Sequence, residues 1–296
     1  MIDQWLGIAT AATVGALKQS LDRIVGLPWV NTLASDRNGD TLYADASVVP
    51  TVSDEQARGP CLLNPQLLML DGSSRACLWK NDPGAPAGIV SPLRSPSLIR
   101  QDYVSNSNDT YWMTNPRARL IGPTAHGFLP LYGAVPAEQS MRTRLCIVQL
   151  EQAIEAKKKL GPRDLEDLMF FNRIYAAELI LPDLLRACAT MPHDTLAAAC
   201  KVLAAWDRRA DLDSRRYILF REFWFMGSRL PQRWSVPFDQ ADPVGTPRDL
   251  NALVTEAMLD RLKTGGARPW PPRHSTRRQG RRLPGSPAHR CARTDP

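Results

Sequence analysis

Residues 106–116, NSNDTYWMTNP, gather Asn106, Asn108, Asp109 and Asn115 with two aromatics and a closing proline. Side-chain amides at this density serve one of two ends. They can satisfy the backbone groups of a polar turn, or they can stand at a reaction centre as donors that keep their protons at any pH. A donor fixed in place before a reaction stabilises an oxyanion without reorganisation. Asn108-Asp109-Thr110 is also a glycosylation sequon, a pattern too common to decide between the two.

Other chemistry is sparse. The chain contains no GxSxG elbow, HExxH, CxxC, P-loop or GxGxxG. Of four histidines, His274 and His289 fall in the C-terminal tail; His126, in PTAHGF, reads as a loop residue and His193, in MPHDT, as a loop or cap residue. No Ser-His-Asp triad can be assembled from them. Asp36, Asn38 and Asp40 imitate the start of a calcium loop, but the glycine is misplaced and the twelfth position is Ser47, so a hairpin turn is the better reading. Cys61 and Cys77 flank one loop, and Cys188 and Cys200 bracket an interhelical turn. They would be small buried hydrophobes in a reducing compartment and two disulfides in an oxidising one; the sequence leaves both open.

Charge does not point to nucleic acid. Residues 265–296 hold eight arginines and one acid, which accounts for the whole net charge of +7 and leaves 29 basic and 29 acidic side chains elsewhere. The basic pI therefore describes the tail and not a binding face of the body, and no specific nucleic-acid partner is expected. The tail has six prolines and only Leu283 among large aliphatic residues, too little apolar surface to offset ordering entropy, so disorder is expected there. The abrupt change after Thr264 reads as a GC-rich gene translated in the wrong frame. No run of eighteen apolar residues occurs, so no membrane span is expected, and the N-terminal stretch lacks the basic start and the cleavage site of a signal peptide.

Elements must position the asparagine loop. Apolar spacing predicts an amphipathic helix over 2–25, ended by Gly26 and Pro28. WVNTLAS and TLYADASVV read as a hairpin, with Asn38-Gly39 supplying positive φ angles. Residues 50–105, rich in Pro, Gly and Ser, read as long surface loops. From Arg142 the pattern turns helical through RTRLCIVQLEQAIEAKKKL, RDLEDLMFFNRIYAAELILPDLLRAC and DTLAAACKVLAAWD, and a last helix near RDLNALVTEAMLDRLK is marked by Thr246-Pro247. Strands early and helices late give the α+β class.

The string DYVSNSNDTYWMTNP resembles the large-subunit signature of the penicillin acylase family, most closely its acyl-homoserine lactone acylase and aculeacin acylase branch. LDRIVGLPWVNTLASDRNGDTLYADASVVP, LDGSSRACLW, RTRLCIVQLE and AAWDRRADLDSRRYILFREFW followed by PFDQADPVGTPRDL resemble that branch in the same order. The resemblance covers residues 1–264 and divides the chain into this large-subunit part and the tail, 265–296.

The resemblance implies a fragment of an N-terminal-nucleophile hydrolase, an αββα sandwich that cleaves linear amides. An N-terminal serine attacks and its own α-amine serves as base, which makes a histidine unnecessary. It also implies that Asn108 donates in the oxyanion hole, that Arg142 orients the asparagine and the nucleophile's amine, and that Asn106 and Asp109 support the loop. Arg144 is expected on the helix surface or in a salt bridge. No cofactor is implied, and the family's calcium site has no assignable ligands here. The implied partners are a small-molecule amide, the small subunit and the N-terminal part of the large subunit; the implied compartment is the periplasm. Met1-Ile2 cannot mature to a serine, and Ser73 and Ser74 match a non-catalytic loop. The expectation is therefore an acylase by descent whose nucleophile is absent from this chain, with an inactive product of a disrupted gene as the alternative.

Overall fold

The computed structural model describes residues 1–123, 128–157, 159–191 and 193–263. The arginine-rich tail, with its expected disorder, and His126 lie outside the described residues.

The helix expected over 2–25 is two helices, α1 (Ile2–Ala9) and α2 (Val14–Ile24). The break falls where Thr13 takes extended backbone angles and its side chain accepts the Ala16 N–H at 3.1 Å, an N-cap. A second acceptor comes from further along the chain: Asp36 Oδ2 takes the Val14 N–H at 3.0 Å. That bond is the main reason the Asp36 carboxyl lies below the usual range. The α2 helix ends on Val25 in the left-handed region, φ 47°, one residue before the expected Gly26.

The hairpin pairs β1 (Thr32–Ser35) with β2 (Thr41–Ala44), Thr32 opposite Ala44 and Ser35 opposite Thr41. Only Gly39 takes a positive φ in the turn, at 89°; Asn38 does not, because Asp36 Oδ1 accepts its N–H at 2.8 Å and holds a wider turn. Val14, Leu17 and Leu21 of α2 pack on Leu42 and Ala44 of β2.

Residues 50–105 are more ordered than their composition implies. They form α3 (Asp54–Arg58), β3 (Leu62–Asn64), β4 (Met69–Leu70) and β5 (Ser97–Arg100). A capping box between Ser53 and Gln56 starts α3. Strand β5 pairs antiparallel with β2, Leu42 opposite Ile99, which makes a sheet of order β1-β2-β5. A four-residue strand of this kind carries too little alternation to be read locally; its pairing partner lies more than fifty residues earlier. Cys61 and Cys77 are joined by a disulfide, Cα to Cα 5.4 Å.

The second half is helical: α4 (Met141–Lys157), α5 (Pro162–Phe170), α6 (Tyr175–Thr190), α7 (Asp194–Ala204) and α8 (Arg215–Gly227). The stretch read as one helical run over 163–188 breaks at Asn172, φ 53°, into α5 and α6. His193 takes the N-cap position of α7, and a Cys188–Cys200 disulfide ties α6 to α7. The last helix begins later than Thr246-Pro247 suggested. Trp234–Val236 form β6, Arg248–Leu250 form β7 opposite it, and α9 starts at Ala252 and runs to Lys263. Ile180, Leu181 and Leu184 of α6 meet Leu203, Phe220 and Met258 in the largest core. The β6-β7 pair departs from the expected order of strands early and helices late, but the mix of small sheets and packed helices is the expected α+β class. No helix among the described residues is long and apolar enough to cross a membrane.

Candidate functional site

The asparagine loop is anchored at both ends before its tip reaches solvent. Asn115 is fully buried: its Nδ2 donates to the Tyr103 carbonyl at 2.8 Å and to Asp102 Oδ1 at 3.2 Å, and its Oδ1 accepts the Arg117 N–H at 2.8 Å. The Ser105 N–H donates to the Thr114 carbonyl at 2.9 Å and closes the loop neck. Tyr111, Trp112 and Met113 form a buried 3-10 turn, and the buried Tyr103 hydroxyl donates to Glu151 on α4 at 2.6 Å. Burial and that carboxylate push the Tyr103 hydroxyl well above the ordinary phenol range. Asn115 therefore belongs to the turn-building class, as Asn106 does at the tip, whereas Asn108 does not.

At the tip, Asn106 Oδ1 accepts the Asn108 N–H at 2.9 Å and Asn106 Nδ2 donates to the Asp109 carbonyl at 3.3 Å. This local closure holds Asn108 in the left-handed region, φ 65°, where asparagine is among the tolerated residues. The Asn108 side-chain amide makes no hydrogen bond to another described residue, so its donor is unspent. Asp109 Oδ2 accepts the Ser140 N–H at 2.8 Å. Ser140 Oγ in turn accepts the Thr143 N–H at 3.2 Å at the start of α4. A carboxylate there suits the positive end of the helix, and the bond fixes the loop to the turn that carries Arg142.

Arg142 is exposed and forms no ion pair or hydrogen bond among the described residues. It shares one cleft of about 790 Å³ with Asn106, Ser107 and Asn108; Leu33, Leu145, Leu150, Leu168 and Met169 supply apolar walls. The four residues that the resemblance singled out are thus brought together, three in the cleft wall and Asp109 behind it. A side-chain donor and a guanidinium facing an apolar recess can stabilise a developing negative charge.

Arg144 is not at the surface. It is fully buried, Nε donating to the Val244 carbonyl and Nη1 to the Pro247 carbonyl, both at 2.8 Å, with the guanidinium 5.3 Å from the Tyr175 ring centre. Two residues along a helix is a rotation of about 200°, so Arg142 and Arg144 face opposite ways. Burial holds the Arg144 guanidinium below its usual range. Cys146, a free thiol, also lines the cleft one turn beyond Arg142. The sequence reading gave it no partner, having set Cys61 beside Cys77 and Cys188 beside Cys200, but assigned it no place in the site. Among the described residues no group of three His, Cys, Asp or Glu side chains is placed to hold a metal ion.

The penicillin amidase family model matches residues 1–286. Acyl-homoserine lactone acylase PvdQ of Pseudomonas putida is 40% identical over 268 residues, covering 88% of this chain and 33% of the relative. Aculeacin-A acylase of Actinoplanes utahensis is 38% identical over 266 residues, covering 83% and 33%. The chain thus spans about a third of the length of these relatives. A match of that extent, with the asparagine loop and the Arg142 turn inside it, makes the chain a member of the penicillin amidase family.

Proposed function

We propose that this chain supplies the oxyanion-binding part of the large subunit of an N-terminal-nucleophile acylase, which hydrolyses a linear amide and releases an acyl chain from an amine. The observation that carries the reading is the meeting of Asn108 and Arg142 in one cleft, one with its donor unspent and the other with its charge unpaired among the described residues. A serine at the start of the large subunit would attack the amide carbonyl and pass its proton to its own α-amine. The carbonyl oxygen, now negative, would take the Asn108 Nδ2–H bond. The Arg142 charge would favour the neutral, proton-accepting amine.

The nucleophile belongs outside this segment. Ser105 is buried and donates to the Thr114 carbonyl at 3.4 Å. Ser107 shares the cleft, but an internal serine has no free α-amine, and no histidine or lysine lines the cleft among the described residues. On this reading the β1-β2-β5 sheet is part of an αββα sandwich completed by the small subunit and the preceding part of the large one. The substrate class follows the relatives: an acyl-homoserine lactone, a lipopeptide or a β-lactam amide, with acyl-chain length set elsewhere. Two disulfides favour an oxidising compartment such as the periplasm.

The test is hydrolysis of an acyl-homoserine lactone by the purified chain alone and by the chain assembled with the missing segments. The chain alone is expected to show none, and the assembly to show turnover that Asn108→Ala lowers by about 10²–10³. Hydrolysis by the chain alone that Asn108→Ala abolishes would overturn the external nucleophile; assembled turnover indifferent to Asn108→Ala would overturn the oxyanion role. A second reading, a non-catalytic product of a disrupted gene, is favoured by Met169 (74%) and Phe170 (68%), exposed on α5, by Trp29 (78%), exposed just before β1, and by the unpaired edge of β1. It expects self-association, and a monomeric, cooperative melt would count against it.

A further inference from the structure

The tip of the asparagine loop is held by more than its own residues. Asn106 Oδ1 accepts the Asn108 N–H, so the oxygen end of that amide is fixed by a backbone donor. The group of Asn31 that faces it at 3.5 Å must then be the NH₂ end, because an oxygen there would meet an oxygen. This leaves Asn31 Oδ1 for the Tyr43 hydroxyl, which donates to it at 3.0 Å. Tyr43 is rigid: it lies on β2, is almost wholly buried, and packs with Tyr111 and Tyr132 in one cluster. Burial also pushes its hydroxyl far above the ordinary phenol range, which keeps it a donor.

Asn31 directly precedes β1, opposite the strand that carries Tyr43. A line of hydrogen bonds therefore runs from the sheet through Asn31 and Asn106 to the backbone of Asn108. We infer that Asn31 and Tyr43 are positioning residues for the Asn108 donor, acting through Asn106. The left-handed backbone at Asn108 is a conformation that most neighbouring arrangements would not select. Asn106 alone closes the turn, but it spans only two residues and moves with the loop. The bond from Asn31 ties the turn to the sheet, and the bond from Asp109 to Ser140 ties its other side to α4. The donor is thereby referenced to two elements that are not part of its loop.

The inference rests on the proposed role of Asn108, and its test does not require turnover. Backbone ¹⁵N relaxation of the chain reads the Asn108 N–H directly. Asn31→Asp keeps the acceptor for Tyr43 and removes the donor to Asn106; Tyr43→Phe keeps the ring in its core and removes only the hydroxyl. Both are expected to lower the Asn108 order parameter from roughly 0.85 towards 0.6, with β2 amides unchanged. Unchanged Asn108 values in both variants, or an equal fall throughout the sheet, would overturn the inference. In the assembled acylase the same variants are expected to lower kcat with little change in KM, and a rise in KM alone would also overturn it. If Asn108→Ala leaves assembled turnover intact while the relaxation result holds, the proposed function fails and the positioning stands.

Discussion

At the residue scale, the site turns on which side chains have spent their hydrogen bonds. Asn115 and Asn106 have spent theirs on backbone groups, whereas the Asn108 amide has no described partner and Asn108 lines the cleft. Arg142 and Arg144 divide in the same way. Arg144 holds the carbonyls of Val244 and Pro247 across a separation of about a hundred residues. Removing it strands two buried acceptors and opens a cavity. Arg144→Ala is expected to cost about 3–5 kcal/mol, and Arg144→Lys to recover only part of it, because an ammonium is a point donor and cannot span both carbonyls. Urea denaturation checks this, and an unchanged midpoint for Arg144→Ala would remove the clamp from the account. Arg142→Ala, by contrast, should leave stability nearly unchanged.

At the element scale, the neck of the asparagine loop depends on a carboxylate. Arg100 Nε and Nη2 donate to Asp102 at 2.8 and 2.9 Å, and Asn115 Nδ2 adds a bond at 3.2 Å. The Arg100 bonds are the largest cause holding the Asp102 carboxyl far below the usual range. A carboxyl with a depressed folded-state pKa contributes stability that is present above its unfolded value, about 3.9, and lost as pH falls below it. The Asp102 side chain is partly exposed, so solvent screens part of the contribution. The difference in melting temperature between the wild type and Asp102→Asn is expected to be largest near neutral pH and to shrink as pH drops below about 4. A difference that stays constant down to pH 2 would remove Asp102 from the acid response.

At the scale of the whole molecule, the two disulfides brace separate regions. The Cys61–Cys77 bond closes a segment that forms only short elements, and the Cys188–Cys200 bond joins two helices of the largest core. A loop of twelve residues, as in Cys188–Cys200, gives a crosslink worth roughly 3 kcal/mol through the unfolded chain. The Cys188→Ala/Cys200→Ala double variant is expected to lose about that much in denaturant titration, and added reductant to lower the wild-type midpoint at least as far, because it also opens Cys61–Cys77. Identical midpoints for oxidised and reduced wild type would show that the crosslink contributes nothing. The exposed apolar residues on α5 and beside β1 are the other feature at this scale; they suit a face covered in an assembled subunit and equally an aggregating product, which the melt and the association state distinguish.

The sequence by itself determined the family, the α+β class, the hairpin, the main helical segments and the asparagine loop. These rest on local periodicity and on motifs whose order along the chain survives without coordinates. It did not determine the split between α1 and α2, where the tertiary acceptor Asp36 joins the Thr13 cap, or the strand β5, which exists only because a distant partner pairs with it, or β7, whose three residues pair with the equally short β6. It left the cysteine pairing open, because spacing does not encode Cα distance. It placed Arg144 outside, because a charged residue on a helix is read as exposed until the carbonyls that satisfy it are seen. Only the tertiary structure brought Asn108 and Arg142 into one cleft, and only it connected Asn31 and Tyr43 to them, since a hydrogen bond across 75 positions leaves no local trace.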